Sequence, residues 1–460
     1  MRILLIRPDS FTQTLAPPMG LLYIGAAVRQ FLDAKISFID GRLDRIRGES
    51  LARKMAEHKP DIVGITAIMN EIEGAVETAE ISRKLWKNAK VVIGGPWPSS
   101  APEEALGLTG ADILVRGEGE EAFTEIVRRL EDGRPLTGIS GTCVIENSEI
   151  REIPRQYKED LDSLPYPAYD AINLERYLIN WRNGQNRLQR STRIMPLFTS
   201  RGCPFNCIFC HNLYGKRFRP RSAEHVLGEI ELLVKRYGVE EIEVSDDIFN
   251  FDLKRAKRIA EGIIRRKFGI RLSFPNGLRA DRTDEELIDL LAEAGCTRIC
   301  YAVESASPRI QKIIGKGINL EKTAKMIEYT SKKGINVGGF FIFGFPGETI
   351  EDMKETVRFA VDSALDTASF FYLAPFPGTR LVREYPATAK ARFRDFTDIP
   401  INLSAVSDKE LSHMRKNAYR KFYFNRKRIL RNIKTSPKNI LLFKNFWAIV
   451  RLVIQDYVAY

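Results

Sequence analysis

An α/β fold, built as two sheet domains in series with a helical end, is predicted by three features of the 460-residue sequence. Short apolar runs alternate with helical patterns over residues 2–131, the same alternation returns over 195–374, and basic charge gathers near the end. Strands that alternate with helices argue parallel sheets, because a parallel pair needs a crossover of a dozen or more residues, usually helical. The first run predicts a doubly wound, flavodoxin- or Rossmann-like domain over 1–131, followed by a connector over 132–192. The second predicts a partial (β/α)6 TIM-like barrel over 193–380, with a basic helical region over 381–460.

In the first domain, strands are expected at 2–6, 36–39, 62–65, 91–93 and 113–115. Helices are expected at 18–32, 50–58, 72–87, 101–108 and 120–131, the first opened by a proline, whose fixed φ suits a first helical turn. Ligands of such sheets bind beyond the carboxyl ends of the strands. There lie the loops 8–20, 66–70, 94–98 and 116–120. Gly94 and Gly95 follow a strand directly, where a missing side chain lets either a tight turn or a ligand approach the backbone. No G-x-G-x-x-G follows the first strand, which disfavours a dinucleotide site. The connector holds Cys143, a hairpin around 146–148, and a stiff Leu-Pro-Tyr-Pro stretch ending at Pro167.

In the barrel, strands are expected at 195–200, 241–245, 271–276, 298–303, 337–343 and 369–374, with helices at 223–237, 253–267, 284–294, 320–333 and 350–363. Polar groups follow the strands: Asp246 and Asp247, Arg279, Glu304 and Ser305, then Gly344 with the loop to Thr349. Pro375-Phe-Pro-Gly-Thr379 follows the last strand. Each could be a helix cap or a turn residue; five such places on one rim argue a site. Cys296 and Cys300 are expected to be core thiols.

The chemistry is concentrated in Ser200-Arg-Gly-Cys-Pro-Phe-Asn-Cys-Ile-Phe-Cys-His-Asn212, where Cys203, Cys207 and Cys210 form C-x3-C-x2-C. Three close thiolates can hold three corners of a cubane iron–sulfur cluster and leave the fourth iron open to a small molecule. Zinc sites usually carry four ligands in paired C-x2-C units, and no second pair exists here.

With the aromatic Phe209 before its last cysteine, this stretch resembles the radical S-adenosylmethionine (SAM) superfamily. The resemblance implies a 4Fe–4S cluster that binds SAM and cleaves it reductively to methionine and a 5′-deoxyadenosyl radical. It implies SAM contacts at the Phe209 backbone, at Glu304 and Ser305 (ribose or methionyl part), at Arg279 (carboxylate), and at Phe343 and Gly344 (adenine wall). Asp246 is a further SAM-binding candidate that could face substrate instead.

The domain ahead resembles the cobalamin-binding domain of cobalamin-dependent radical SAM enzymes. Pro18-Met-Gly-Leu-Leu-Tyr-Ile24, Gly94-Gly95 and Gly117-Glu-Gly-Glu120 carry the likeness. It implies corrin contacts at Pro18, Gly20, Thr66, Met69, Asn70, Gly94, Gly95, Pro96, Gly117 and Glu118, with Met69 and Asn70 nearest the cobalt. The usual Asp-x-His-x-x-Gly is absent from 8–14, and the first histidine is His58, expected at the surface. Cobalamin is therefore expected without a protein His ligand. The family implies methyl transfer to an unactivated carbon, one SAM supplying the methyl group by way of cobalt and a second the radical; relatives in fold close rings or join carbons instead. Residues 1–140 contain no cysteine, which speaks against a methylthiotransferase with a second cluster. A non-catalytic cobalamin or redox-sensing module would not need the SAM rim. An electron donor such as a flavodoxin or ferredoxin is the implied protein partner.

The formal charge of +12 is uneven. Residues 411–460 hold twelve Lys or Arg and one acid, Asp456, so they account for +11. Ser407 and Glu410 have capping-box spacing and open a helix. A second helix is expected from Ser436-Pro437, with Lys444 and Arg451 on one face and Leu442, Phe446, Ile449 and Val453 opposite. Charges interrupt every apolar run long enough to span a bilayer. Two readings stand for this region: a cap packed on the barrel, or a basic amphipathic helix lying on an anionic membrane. A lipid or other hydrophobic substrate would suit the second; nucleic acid is not expected. Few cysteines and no leader-like N-terminus point to the cytoplasm, with peripheral contact at the inner face of the membrane.

Overall fold

A computed structural model of the chain describes residues 1–10, 15–147, 149–180, 193–211, 213–390 and 398–435. The described residues fall into two compact units, one made of 1–184 with 211–215 and 376–378, the other of 185–210, 216–375 and 379–460.

The first unit is built on β1 (Arg2–Arg7), β2 (Lys35–Asp40), β3 (Ile62–Thr66), β4 (Lys90–Gly94), β5 (Ile113–Val115), β6 (Thr142–Glu146) and β7 (Glu149–Glu152). The sheet order is β2-β1-β3-β4-β5-β6-β7, parallel as far as β5. Alternate side chains feed two separate cores, which is why these strands read as continuous apolar runs. Leu4, Ile6, Val63, Ile65, Val91 and Ile93 pack with Trp97 and Leu106 on one face. Ile3, Leu5, Ile62 and Val92 pack with Phe123 and Ile126 on the other. The order reverses between β1 and β3, so a crevice opens at their carboxyl ends. The predicted hairpin is present, turning at Asn147 with φ 52°. Its first strand pairs antiparallel with β5, so the sheet continues through residues assigned to the connector. Cys143 is buried there.

The second unit carries β8 (Ile194–Leu197), β9 (Ser200–Arg201), β10 (Arg219–Pro220), β11 (Glu241–Val244), β12 (Arg271–Leu278), β13 (Cys296–Glu304), β14 (Asn336–Phe343) and β15 (Thr367–Tyr372). Six of these form a parallel barrel-like sheet in the order β15-β14-β13-β12-β11-β8. The strand expected over 195–200 is two strands. After Leu197 the chain leaves the sheet, and β9 pairs antiparallel with β10. β12 runs two residues past its expected end, through a register shift that Gly277 accommodates at φ 94°. Cys296 and Cys300 are buried core thiols. The helices Ala223–Tyr237, Leu253–Arg266, Glu285–Glu293, Leu320–Lys332 and Ile350–Asp362 open on Ser222, Asp252, Asp284, Asn319 and Thr349, each accepting an orphan backbone amide.

The helix Asp408–Tyr423 begins at the expected Ser407/Glu410 capping box and packs along β15. It is followed by Arg426–Thr435. Arg428 in that second helix is buried and donates to the carbonyls of Leu365, Ala360, Val361, Ser363 and Phe422. Several of these are the orphan carbonyls that end helix Ile350–Asp362. This part of the basic region is therefore a cap on the barrel. The helix expected from Ser436, with Leu442, Lys444, Phe446, Ile449, Arg451 and Val453, lies outside the described residues. Among the described residues no helix is long and apolar enough to cross a membrane.

Candidate active site

The cysteine segment is a loop closed at its base. The ribbon of β9 and β10 joins its two ends. Beneath it, the Asp246 carboxylate accepts from the Thr199 amide (2.5 Å), the Thr199 hydroxyl (2.5 Å) and the Ser200 hydroxyl (2.6 Å). Burial raises that carboxyl, against the pull of Arg255 and these donors. Arg255 in turn donates to the carbonyls of Arg221 (2.6 Å) and Thr199. Asp246 thus has both oxygens committed to the loop base.

The loop itself is gripped from several sides. Lys216 Nζ donates to the Phe205 carbonyl (2.6 Å), and the Arg279 guanidinium lies 3.8 Å from the Phe205 ring centroid. The Ile208 amide donates to Ile314 O (2.9 Å), and Ile208 O accepts from the Leu381 amide (2.8 Å). A Cβ on Gly315 would meet Asn206 O at 3.0 Å. The Phe209 ring rests on Phe345 at 5.5 Å. Cys203 and Cys207 are half-buried and Cys210 is exposed. Desolvation holds the Cys203 and Cys207 thiols above their ordinary range, so deprotonation must be drawn by a bound cation. Among the described residues no three His, Cys, Asp or Glu side chains could hold one metal ion. Three thiols on one loop, without a fourth ligand in the C-x3-C-x2-C run, are the donor set of a cluster that keeps one iron open.

Around Cys207 the structure gathers Lys316, Glu304, Arg279 and Lys216 within electrostatic reach. Arg279 is buried, forks onto Asp281 (3.1 and 2.9 Å), and leaves its buried Nη1 without a partner. An orphan guanidinium N–H of this kind fits a carboxylate ligand. Glu304 ends β13 at φ 67°, and the Ser305 amide reaches back to Val303 O (2.9 Å). That is the rare form of γ-turn, and such strain costs on the order of 1–3 kcal/mol. Gln311 Nε2 clamps it by donating to the carbonyls of Val303 (2.9 Å) and Ser305 (2.5 Å). Glu304 Oε1 accepts from Lys316 Nζ at 2.8 Å, both side chains being buried. Ser305 is fully buried, its hydroxyl shared with Thr356 (3.2 Å) and the Ser307 amide (3.2 Å). Phe343 is stacked on Phe370 in the core. Gly344 stands at φ 99°, its amide donating to Glu348 Oε2 (2.7 Å), as does that of Phe345 (3.2 Å). Glu348 is wholly buried with Oε1 unpartnered, and burial pushes its carboxyl up to about 8.

In the first unit, the predicted corrin residues line the carboxyl ends of the strands. Pro18 precedes the helix Met19–Phe31, and Gly20 is exposed with open space at its Cβ position. Met69–Glu71 is a 3-10 turn after β3. Met69 packs partly into the core, while Asn70 Oδ1 is buried without a partner, an acceptor fit for a polar ligand group. A Cβ on Gly95, at φ 102°, would meet Thr66 Oγ1 at 2.7 Å and Ala67 O at 2.8 Å. The neighbouring loop alone therefore demands this glycine. Pro96 begins the short helix Pro96–Ser100. The Gly117 amide donates to Ser99 Oγ (2.8 Å), and Glu118 lines a cavity of about 240 Å³ with Arg129 and Lys158.

Sequence reasoning missed Lys316, Gln311 and the buried ions that fix the 66–71 loop. Glu71 accepts from the Ile68 amide (2.9 Å) and pairs with Arg42. Beside them Arg7 and Tyr177 both bond Asp40 (2.9 and 2.6 Å). Lys316 did carry a signal, a lone cation between Gly315 and Gly317 in a segment just after the rim.

Two family models match the chain. Residues 12–127 match the B12 binding domain and 197–360 the Radical SAM superfamily. The chain is 35% identical over 449 residues to an uncharacterized methyltransferase of Pyrococcus horikoshii, covering 94% of this chain and 95% of that protein. It is 30% identical over 417 residues to cytidylyl-2-hydroxyethylphosphonate methyltransferase of Streptomyces wedmorensis, covering 80% and 77% respectively. Its fold is similar to that of TsrM, a radical S-adenosylmethionine methyltransferase from Kitasatospora setae, with TM-score 0.72, 22% identity, and coverage of 84% of this chain and 76% of that one.

Proposed function

Since this chain belongs to the radical SAM enzymes that carry a cobalamin-binding domain, we propose that it transfers a methyl group to an unactivated carbon of a hydrophobic, lipid-like substrate. It is an enzyme of that family, and its cofactors are a 4Fe–4S cluster, SAM and cobalamin. The observation that carries the methyl-transfer reading is the likeness to a methyltransferase over nearly the whole of both chains. When bound, the cluster supplies the electron that cleaves SAM and the corrin supplies a cobalt able to carry a methyl group.

This chain's own residues bind and orient. Cys203, Cys207 and Cys210 hold three irons, and the grips on Phe205, Asn206 and Ile208 fix the loop that carries them. Arg279 Nη1 takes the SAM carboxylate, and Glu304 Oε2, which Lys316 does not engage, takes the ribose or ammonium group. Phe209, Gly344 and Phe345 form the adenine wall, with Phe343 behind it. Asp246 and Ser305, expected to touch SAM, are given positioning roles, since their polar atoms are already bonded within the protein. In the first unit Thr66, Met69 and Asn70, with Pro18, Gly20, Gly94, Gly95, Pro96, Gly117 and Glu118, would hold the corrin. No histidine is needed as a ligand.

The hydrophobic substrate and a peripheral membrane contact are supported by exposed Phe424, Ile429 and Leu430 beside exposed Lys421 and Arg426. The setting is then cytoplasmic, with a flavodoxin or ferredoxin as electron donor. Reconstituted protein given methyl-labelled SAM and a lipid extract tests the reaction. Methyl transfer yields labelled organic product and S-adenosylhomocysteine together with 5′-deoxyadenosine. Ring closure, the second reading, yields 5′-deoxyadenosine without either.

A further inference from the structure

We propose that Lys316 is a positioning residue for SAM, acting through Glu304 and tying that carboxylate to the cysteine loop. The inference rests on the radical SAM reading above and deepens its account of the SAM subsite.

Glu304 sits in a strained γ-turn that Gln311 clamps from both flanking carbonyls. Strain held this firmly points to a side chain whose direction matters. Lys316 takes Glu304 Oε1 at 2.8 Å, and Oε2 has no partner among the described residues. The lysine is delivered by a segment that touches the cysteine loop twice. Ile314 O accepts from the Ile208 amide (2.9 Å), and Gly315, at φ 66°, lies where a Cβ would press on Asn206 O. One short segment therefore fixes both the loop that carries Cys207 and a carboxylate within electrostatic reach of it. Its ammonium also offsets a buried negative charge within electrostatic reach of Cys207. Without it the carboxylate is left buried and unpaired and turns away from its present direction.

SAM dissociation constants of the anaerobically reconstituted protein, measured by equilibrium dialysis with iron content alongside, test this. Lys316→Met is expected to weaken SAM binding about tenfold or more. Lys316→Arg recovers binding to within about threefold, because it restores the pair. Glu304→Gln/Lys316→Met binds no more weakly than Glu304→Gln alone, since the lysine acts only through the carboxylate. If Lys316→Met does not fold, that comparison decides by itself. SAM binding within about twofold of wild type in Lys316→Met, or a further loss in the double variant, overturns the proposal. Wild-type protein that holds no cluster or binds no SAM contradicts instead the reading on which the proposal rests.

Discussion

The phenol of Tyr423 donates to the carbonyl of Ala368 (3.0 Å) and accepts from the amide of the same residue (3.2 Å). One helical turn earlier, Tyr419 accepts from the Phe370 amide (3.1 Å), and Arg415 donates to the Phe370 carbonyl (2.8 Å). Four helical residues rise about 6.0 Å, close to the roughly 6.6 Å of two strand residues, so side chains at i and i+4 can serve alternate strand positions. β15 is an edge strand of the barrel sheet, and an open edge is a template for pairing with another chain. The helix closes that edge with side chains in place of a seventh strand.

Tyr423→Phe leaves an amide and a carbonyl unserved and is expected to cost about 1–3 kcal/mol in urea unfolding. Tyr419→Phe/Tyr423→Phe should also self-associate in sedimentation, since it frees the edge. A double variant that stays monomeric with unchanged stability removes the edge-closing role.

Two truncations separate the roles of the basic region. A chain ending at residue 407 loses the edge cover and is expected to aggregate. A chain ending at 435 keeps it and should stay folded, with weaker binding to anionic vesicles, each lost cation contributing about 1 kcal/mol near the surface. Equal co-sedimentation of the 435 chain and the full chain, at low and high salt, contradicts a membrane role for 436–460.

Glu348 sets a pH dependence of stability. Burial pushes its carboxyl up to about 8, and the amides of Gly344 and Phe345 offset this only in part. Between about pH 4.5 and 8 the fold keeps the proton and the unfolded chain releases it. The group's contribution to stability is therefore greatest below that window and falls as pH rises through it. Glu348→Gln should lose this slope, and its stability relative to wild type should rise by a few kcal/mol, to order of magnitude, from pH 5 to 8.5. Urea midpoints across that range check it; a constant difference contradicts it.

Gly95→Ala forces a Cβ against Thr66 Oγ1 and Ala67 O at a left-handed φ of 102°. The 66–71 loop must then shift. Corrin absorbance of cobalamin-fed protein is expected to fall severalfold, with the iron content unchanged. Normal corrin uptake by this variant removes that loop from the cobalamin site.

Much of this was legible in the sequence because it is local. The helices expected at 223, 253, 284, 320 and 350 begin within a residue or two of those positions, because Ser222, Asp252, Asp284, Asn319 and Thr349 each cap an amide three residues on. The cysteine motif is local too, since its spacing is the ligand geometry. What failed to show depends on long-range approach. Gly95 reads equally as a tight turn or as room for a ligand, and only the approach of the 66–67 loop shows that the backbone itself demands it. Asp246 and Ser305 read as open rim groups but are consumed by Thr199, Ser200 and Thr356. Arg415, Tyr419 and Arg428 have the composition of a membrane face, yet cations and phenols also serve unpaired carbonyls, and here they do. Lys316 matters only because a γ-turn, invisible in composition, turns Glu304 toward it.

The central claim is tested most directly by 5′-deoxyadenosine released from SAM by the anaerobically reconstituted, chemically reduced protein. The account predicts release by the wild-type chain and none by Cys207→Ala. No release by wild type, or equal release by both, would contradict it.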